Sequence, residues 1–82
     1  MEHPPLIWND AAELGRIIRS ARVEQDLRQE DLAFAAGVSR ALLNQVEQGK
    51  PTARLDGILA IAMALGLTPA FLPARTNAIG DV

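Results

Sequence analysis

Between Gln29 and Gln48, two short apolar stripes of helical period are separated only by Gly37-Val38-Ser39, and few folds can accommodate that. Leu32, Ala33 and Ala36 mark the inner face of the first stripe, and Leu42, Leu43 and Val46 are the apolar positions of the second. Gly37 ends the first helix with the backbone freedom a sharp turn requires, and Ser39 is a favoured N-cap for the next. Gly49 stops the second helix. Two short helices joined by so tight a turn form a helix-turn-helix unit. The small Ala33 lets the second helix cross closely over the first, and Val38 plugs the turn from inside. With Leu43 and Val46 it locks the two helices into one rigid body.

The flanking chain supplies more helices. Asp10 and Glu13 form a D-x-x-E arrangement like a capping box, and Leu14, Ile17, Ile18 and Ala21 continue it as a stripe, predicting a helix from Asp10 to Glu24. A fourth helix is expected over Arg54 to Leu65, with Leu55, Ile58, Leu59, Ala62 and Leu65 inward and Gly66 as its stop. A short fifth helix is expected at Pro69 to Leu72, capped by Thr68 and ended by Pro73. The fold class is all-α, a compact bundle of four to five short helices around the helix-turn-helix. Residues 1–8 read as an arm whose Ile7 and Trp8 pack back on the core, 9–73 as the domain, and 74–82 as a loose tail.

Composition narrows the function. With no cysteine and a single histidine, His3 in the arm, no disulfide, metal site or cofactor is expected. An enzyme is not expected either. The chain has no tyrosine, its carboxylates fall on helix surfaces, and 82 residues leave little room for a deep pocket. Such pockets usually measure roughly 300–1,000 Å³. No apolar run approaches the ~20 residues of a membrane span, and the N-terminus lacks a signal-peptide pattern. A cytoplasmic protein is the expectation. The net charge of −2 and pI near 5.2 argue against a general polyanion binder. The bases are uneven, however: Arg16, Arg19, Arg22 and Arg28 cluster in one stretch, and Arg40, Lys50 and Arg54 in another. One face can be positive on an acidic molecule. An α-helix fits the major groove of B-DNA, about 12 Å wide, and the outer face of the helix after Ser39 is free to enter it.

Gln29-Glu30-Asp31-Leu32-Ala33, Ala36-Gly37-Val38-Ser39, Leu43 and Val46-Glu47-Gln48-Gly49-Lys50-Pro51 together resemble the Cro/C1-type (XRE-family) helix-turn-helix, the lambda-repressor-like DNA-binding domain. The resemblance covers residues 14–67. The run from Glu47 to Ala53 and the helix that follows look most like the HipB-like antitoxin and autorepressor branch. The resemblance implies a transcriptional regulator that binds double-stranded DNA, most simply a repressor acting as a homodimer on a near-palindromic operator. A HipA-like kinase toxin is an implied partner.

Carried residue by residue, it places Arg40, Ala41, Asn44 and Gln45 at base edges. Arginine suits guanine, glutamine or asparagine suits adenine, and alanine a thymine methyl. Gln29, Arg28, Ser39, Gln48, Lys50 and Arg54 fall at phosphate-contacting positions. Arg22 and Glu47 fall where relatives hold a structural ion pair. Ile61, Leu65, Leu67, Phe71 and Leu72 offer apolar groups for a dimer interface. Two residues depart from the pattern. Arg28 stands where a capping side chain is usual, and Leu42 where many relatives carry a small polar residue; it can pack inward, touch thymine methyls or meet a protein. The rival reading is a protein-interaction module that reuses the fold without binding DNA. The polar groups at Arg40, Asn44 and Gln45 suit bases better than a protein surface.

Overall fold

The computed structural model describes residues 4–50 and 52–74. His3, Pro51 and the tail beyond Ala74 lie outside the described residues. Four helices follow one another: α1 Ala11–Glu24, α2 Gln29–Ala36, α3 Arg40–Glu47 and α4 Leu55–Ala64. No strand occurs among the described residues.

Local chemistry explains most of the helix ends. Asp10 caps α1 by accepting the Glu13 N–H at 2.8 Å, and the Glu13 carboxylate accepts the Asn9 N–H at 2.6 Å. Ser39 caps α3 through its hydroxyl, which accepts the Leu42 N–H at 3.0 Å. Gly37 closes α2 in the left-handed region at φ 71°.

α1 packs on α3, and α2 on both α3 and α4. The deepest side chains are Ile18, Leu32, Leu43 and Ile61, one from each helix, so the core draws on every element at once. Each such side chain gains about 1.5–3 kcal/mol on burial. The α1–α3 junction leaves no room for a side chain at two glycines. A β-carbon on Gly15 would lie 2.5 Å from the Val46 carbonyl oxygen and 2.8 Å from that of Glu47. One on Gly49, itself at φ 77°, would lie 2.7 Å from the Ala12 Cα. Here the two helices meet backbone to backbone.

Several expectations need correction. No fifth helix forms: residues 67–74 are irregular, and Phe71 and Leu72 stand exposed. The few residues between Pro69 and Pro73 cannot repay the cost of nucleating a helix when nothing packs against them. The arm returns to the core only in part: Ile7 is exposed, and Trp8, half exposed, lines an apolar notch with Leu14, Val46 and Ile58. α4 keeps only part of its expected inner face, with Leu65 buried and Ile58 partly buried. Ile61 and Leu65, expected at a dimer interface, belong to the domain's own core, whereas Leu55 and Leu59, expected inside, are exposed. Burial against Leu32 and Leu43 claims Ile61 before any partner chain can.

Candidate nucleic-acid interface

α3 is held so that one side is buried through Leu43 and Val46 and the opposite side, with Arg40, Ala41, Asn44 and Gln45, is exposed. Its two turns of helix stand on a base of polar bonds. Arg22 on α1 donates through Nε and Nη2 to the two Glu47 carboxylate oxygens, at 2.6 and 3.0 Å. Its Nη1 donates to the Leu27 carbonyl oxygen at 2.8 Å, which ties in the loop between α1 and α2. The side chains of this pair are only 12% and 3% exposed, so this bidentate bridge sits largely out of water. Hydrogen bonding to Glu47 raises the Arg22 pKa above the ordinary arginine value.

Gln29 extends the base toward the outer face. Its Nε2 lies 3.1 Å from Glu47 Oε1 and 3.3 Å from Asn44 Oδ1, and its Oε1 accepts a long bond from Arg40 Nε at 3.4 Å. A residue read as a phosphate contact therefore also bridges the buried ion pair to two of the positions read as base contacts. The sequence carried no sign of this, since the four residues come from two helices, Gln29 from α2 and Arg40, Asn44 and Glu47 from α3.

The cations divide into two groups. Arg40 and Lys50 form no ion pair among the described residues. Arg28 pairs with Glu30 at 3.0 Å and with Asp31 at 3.3 Å, and Arg54 pairs with Asp56 at 3.0 Å. These pairs are well exposed and contribute little to stability, so a phosphate can displace the carboxylates. Of the remaining phosphate candidates, Ser39 is engaged as the α3 cap with its hydroxyl proton still free to donate, and Gln48 is exposed at the α3 C-terminus.

Arg28 also shows how α2 begins without a capping side chain. Asp31 reaches back and accepts the Arg28 backbone N–H at 2.9 Å as well as its guanidinium. A guanidinium has no acceptor, so only this half of a capping box exists. The Arg28 guanidinium and then its N–H hold the Asp31 carboxyl below the usual range. An acid three residues after the cap position was the available signal.

Among the described residues no cluster of acids or histidine forms a metal site, and no helix is long and apolar enough to cross a membrane.

Comparison with known proteins agrees with this architecture. The uncharacterized HTH-type transcriptional regulator y4mF of Sinorhizobium fredii (strain NBRC 101917 / NGR234) is 42% identical over 55 residues, 67% of this chain and 72% of that protein. The restriction-modification controller protein C.AhdI from Aeromonas hydrophila superimposes with a TM-score of 0.65 at 34% identity, covering 71% of this chain and 88% of that one. HipB, solved in a complex with an O4 20mer, shares the fold at a TM-score of 0.78 and 19% identity, over 84% of this chain and 97% of that one. The helix-turn-helix family HTH_3 matches residues 18–72, and the chain is a member of that family of transcriptional regulators.

Proposed function

We propose that this protein is a sequence-specific regulator that reads double-stranded DNA with α3, as a homodimeric repressor on a near-palindromic operator. The observation that carries the reading is the exposed side of α3: a polar set of Arg40, Asn44 and Gln45, with Ala41, on a helix anchored from beneath by Arg22, Glu47 and Gln29. Arg40 supplies a two-pronged donor for guanine, and Asn44 or Gln45 a paired donor and acceptor for adenine. Lys50, Ser39, Gln48 and the α2 N-terminus with Gln29 hold the phosphates, and Arg28 and Arg54 join them by exchanging carboxylate partners.

A single α3 spans only a few base pairs, and a two-fold dimer would set two such helices one DNA turn apart, roughly 34–36 Å. With Ile61 and Leu65 inside the core, the surface for that dimer is the outer side of α4, where Leu55, Leu59 and Met63 recur four residues apart and are exposed. Phe71 and Leu72, exposed beyond α4, are available to extend it, whereas Leu67 is partly buried against the core. A narrower version, resting on the resemblance of the run from Glu47 to Ala53 and of α4 to the HipB-like branch, is an antitoxin that represses its own operator and also holds a HipA-like kinase.

Selection of bound sequences from a random duplex pool tests the reading. One preferred, near-symmetric site is the expected result, and recovery of no preferred sequence refutes it. On the selected site Arg40→Ala should cost about 1–3 kcal/mol and relax preference at one base pair. Lys50→Ala should weaken all sequences alike and flatten the salt slope by about one.

A further inference from the structure

Leu42 is the α3 residue that departs from the usual small polar type, and the structure gives it a specific seat. Gly57 is buried in the first turns of α4, and a β-carbon there would lie 2.5 Å from Leu42 Cδ2 and 3.7 Å from its Cγ. The tip of Leu42 fills the space where any other residue at position 57 would carry a side chain. Val38 Cγ1 closes the far side of the seat at 3.9 Å. Next to it, an open cleft of about 510 Å³ runs between the α2–α3 turn and the start of α4, lined by Ala36, Gly37, Ser39, Arg54, Asp56 and Ala60. The contact of α3 with α4 is slight beside those it makes with α1 and α2.

We propose that Leu42 and Gly57 are a positioning pair that sets how the N-terminal half of α3 lies on the domain, and through it the DNA sequence preference. Arg40 and Ala41 stand on that half. A small tilt there moves the Arg40 guanidinium relative to a base edge, whereas the C-terminal half stays fixed on Arg22 and Gly15. The alternative uses of Leu42, touching a thymine methyl or a partner protein, would take its tip away from Gly57; here Cδ2 lies against Gly57 while the rest of the partly buried side chain lines the cleft. The inference rests on the DNA-reading function above and names the residues that tune it.

Transposing the knob from one helix to the other tests it. Leu42→Ala and Gly57→Val are made singly and together; the double variant keeps the number of side-chain carbons. Binding to the selected site and to unrelated duplex is measured below each variant's melting temperature. Each single variant should lose about tenfold or more in the ratio of specific to non-specific affinity, with non-specific binding nearly unchanged, since misplacement of about an ångström is costly in a geometric contact. The double variant should recover most of that ratio and of the melting temperature. Folded single variants that keep the wild-type ratio overturn the proposal, as does a double variant whose loss is the product of the two single losses. If either single variant fails to fold, the double variant alone decides. If the wild-type chain prefers no sequence, the DNA reading itself has failed, and the melting temperatures still report whether Leu42 and Gly57 are coupled.

Discussion

The two ends of α3 are held by different kinds of interaction. At the C-terminal end the contacts are backbone against backbone at Gly15 and Gly49, together with a bidentate ion pair largely out of water. The backbone contacts cannot yield by turning a side chain, and turning either side chain of the pair would strand a charge largely out of water. At the N-terminal end the helix depends on the Ser39 cap and on the tip of Leu42 in the Gly57 notch, beside an open cleft. Those contacts are made by side chains with alternative rotamers. A reading helix fixed at one end and adjustable at the other can keep its place on the domain while its first turn is tuned.

If this contrast is right, damage at the C-terminal end should be the most severe. Glu47→Ala strands the Arg22 guanidinium and removes a partner of Gln29, and should destabilise the domain by about 3–5 kcal/mol, read by chemical denaturation. Adding Arg22→Met should recover part of the loss, because the orphaned charge goes with it. An unchanged melting temperature in the single variant would remove the ion pair from the account of rigidity. Gly15→Ala comes next. Its new methyl meets two carbonyl oxygens, and overpacking of roughly 1–3 kcal/mol outweighs the gain of up to about 1 kcal/mol in helix propensity. A lower melting temperature accompanied by weaker DNA binding is expected; a neutral result would show that α1 can slide on α3.

At the other end the same kind of substitution should act through conformation alone. A β-carbon on Gly37 would have open space around it, so Gly37→Ala meets only the left-handed backbone penalty of about 1–2 kcal/mol. A larger loss would mean that the turn is less open than it looks. The smallest effect concerns Asp31. Its carboxyl is held below the usual range, so its stabilisation of α2 is complete above the ordinary carboxylate pKa, about 4, and fades as pH falls through the lowered native value. The difference in melting temperature between wild type and Asp31→Asn should therefore be positive near neutrality and shrink in acid. A pH-independent difference would assign the effect to something other than the Asp31 charge.

How far these features could be read in advance differs from helix to helix. α2, its turn and α3 were legible because each boundary is chemically local: Gly37 for the left-handed turn, Ser39 for the cap, and apolar spacing that leaves one inner face. The start of α1 was legible from Asp10 and Glu13 for the same reason. α4 was not. Its ten residues, LDGILAIAMA, include one charged residue, so apolar spacing cannot tell inside from outside. The expected inner stripe keeps Leu65 and, in part, Ile58, but Leu55 and Leu59 are exposed, and Ile61, expected at a dimer interface, lies in the core. The segment after α4 carries the punctuation of a helix, with Thr68, Pro69 and Pro73, but caps only delimit helices that packing already stabilises.

By itself, then, the order of residues determined the number of long helices, their limits and the polar set presented by α3, because caps, turns and periods act within a few bonds. Tertiary structure alone decided which side of α4 is buried, that Gln29 joins Glu47 to Asn44, and that Leu42 points into Gly57. Those outcomes depend on shape and charge meeting between residues distant in the chain. Equal hydrophobicity on two sides of a helix leaves its rotation to whichever side finds a surface to fit.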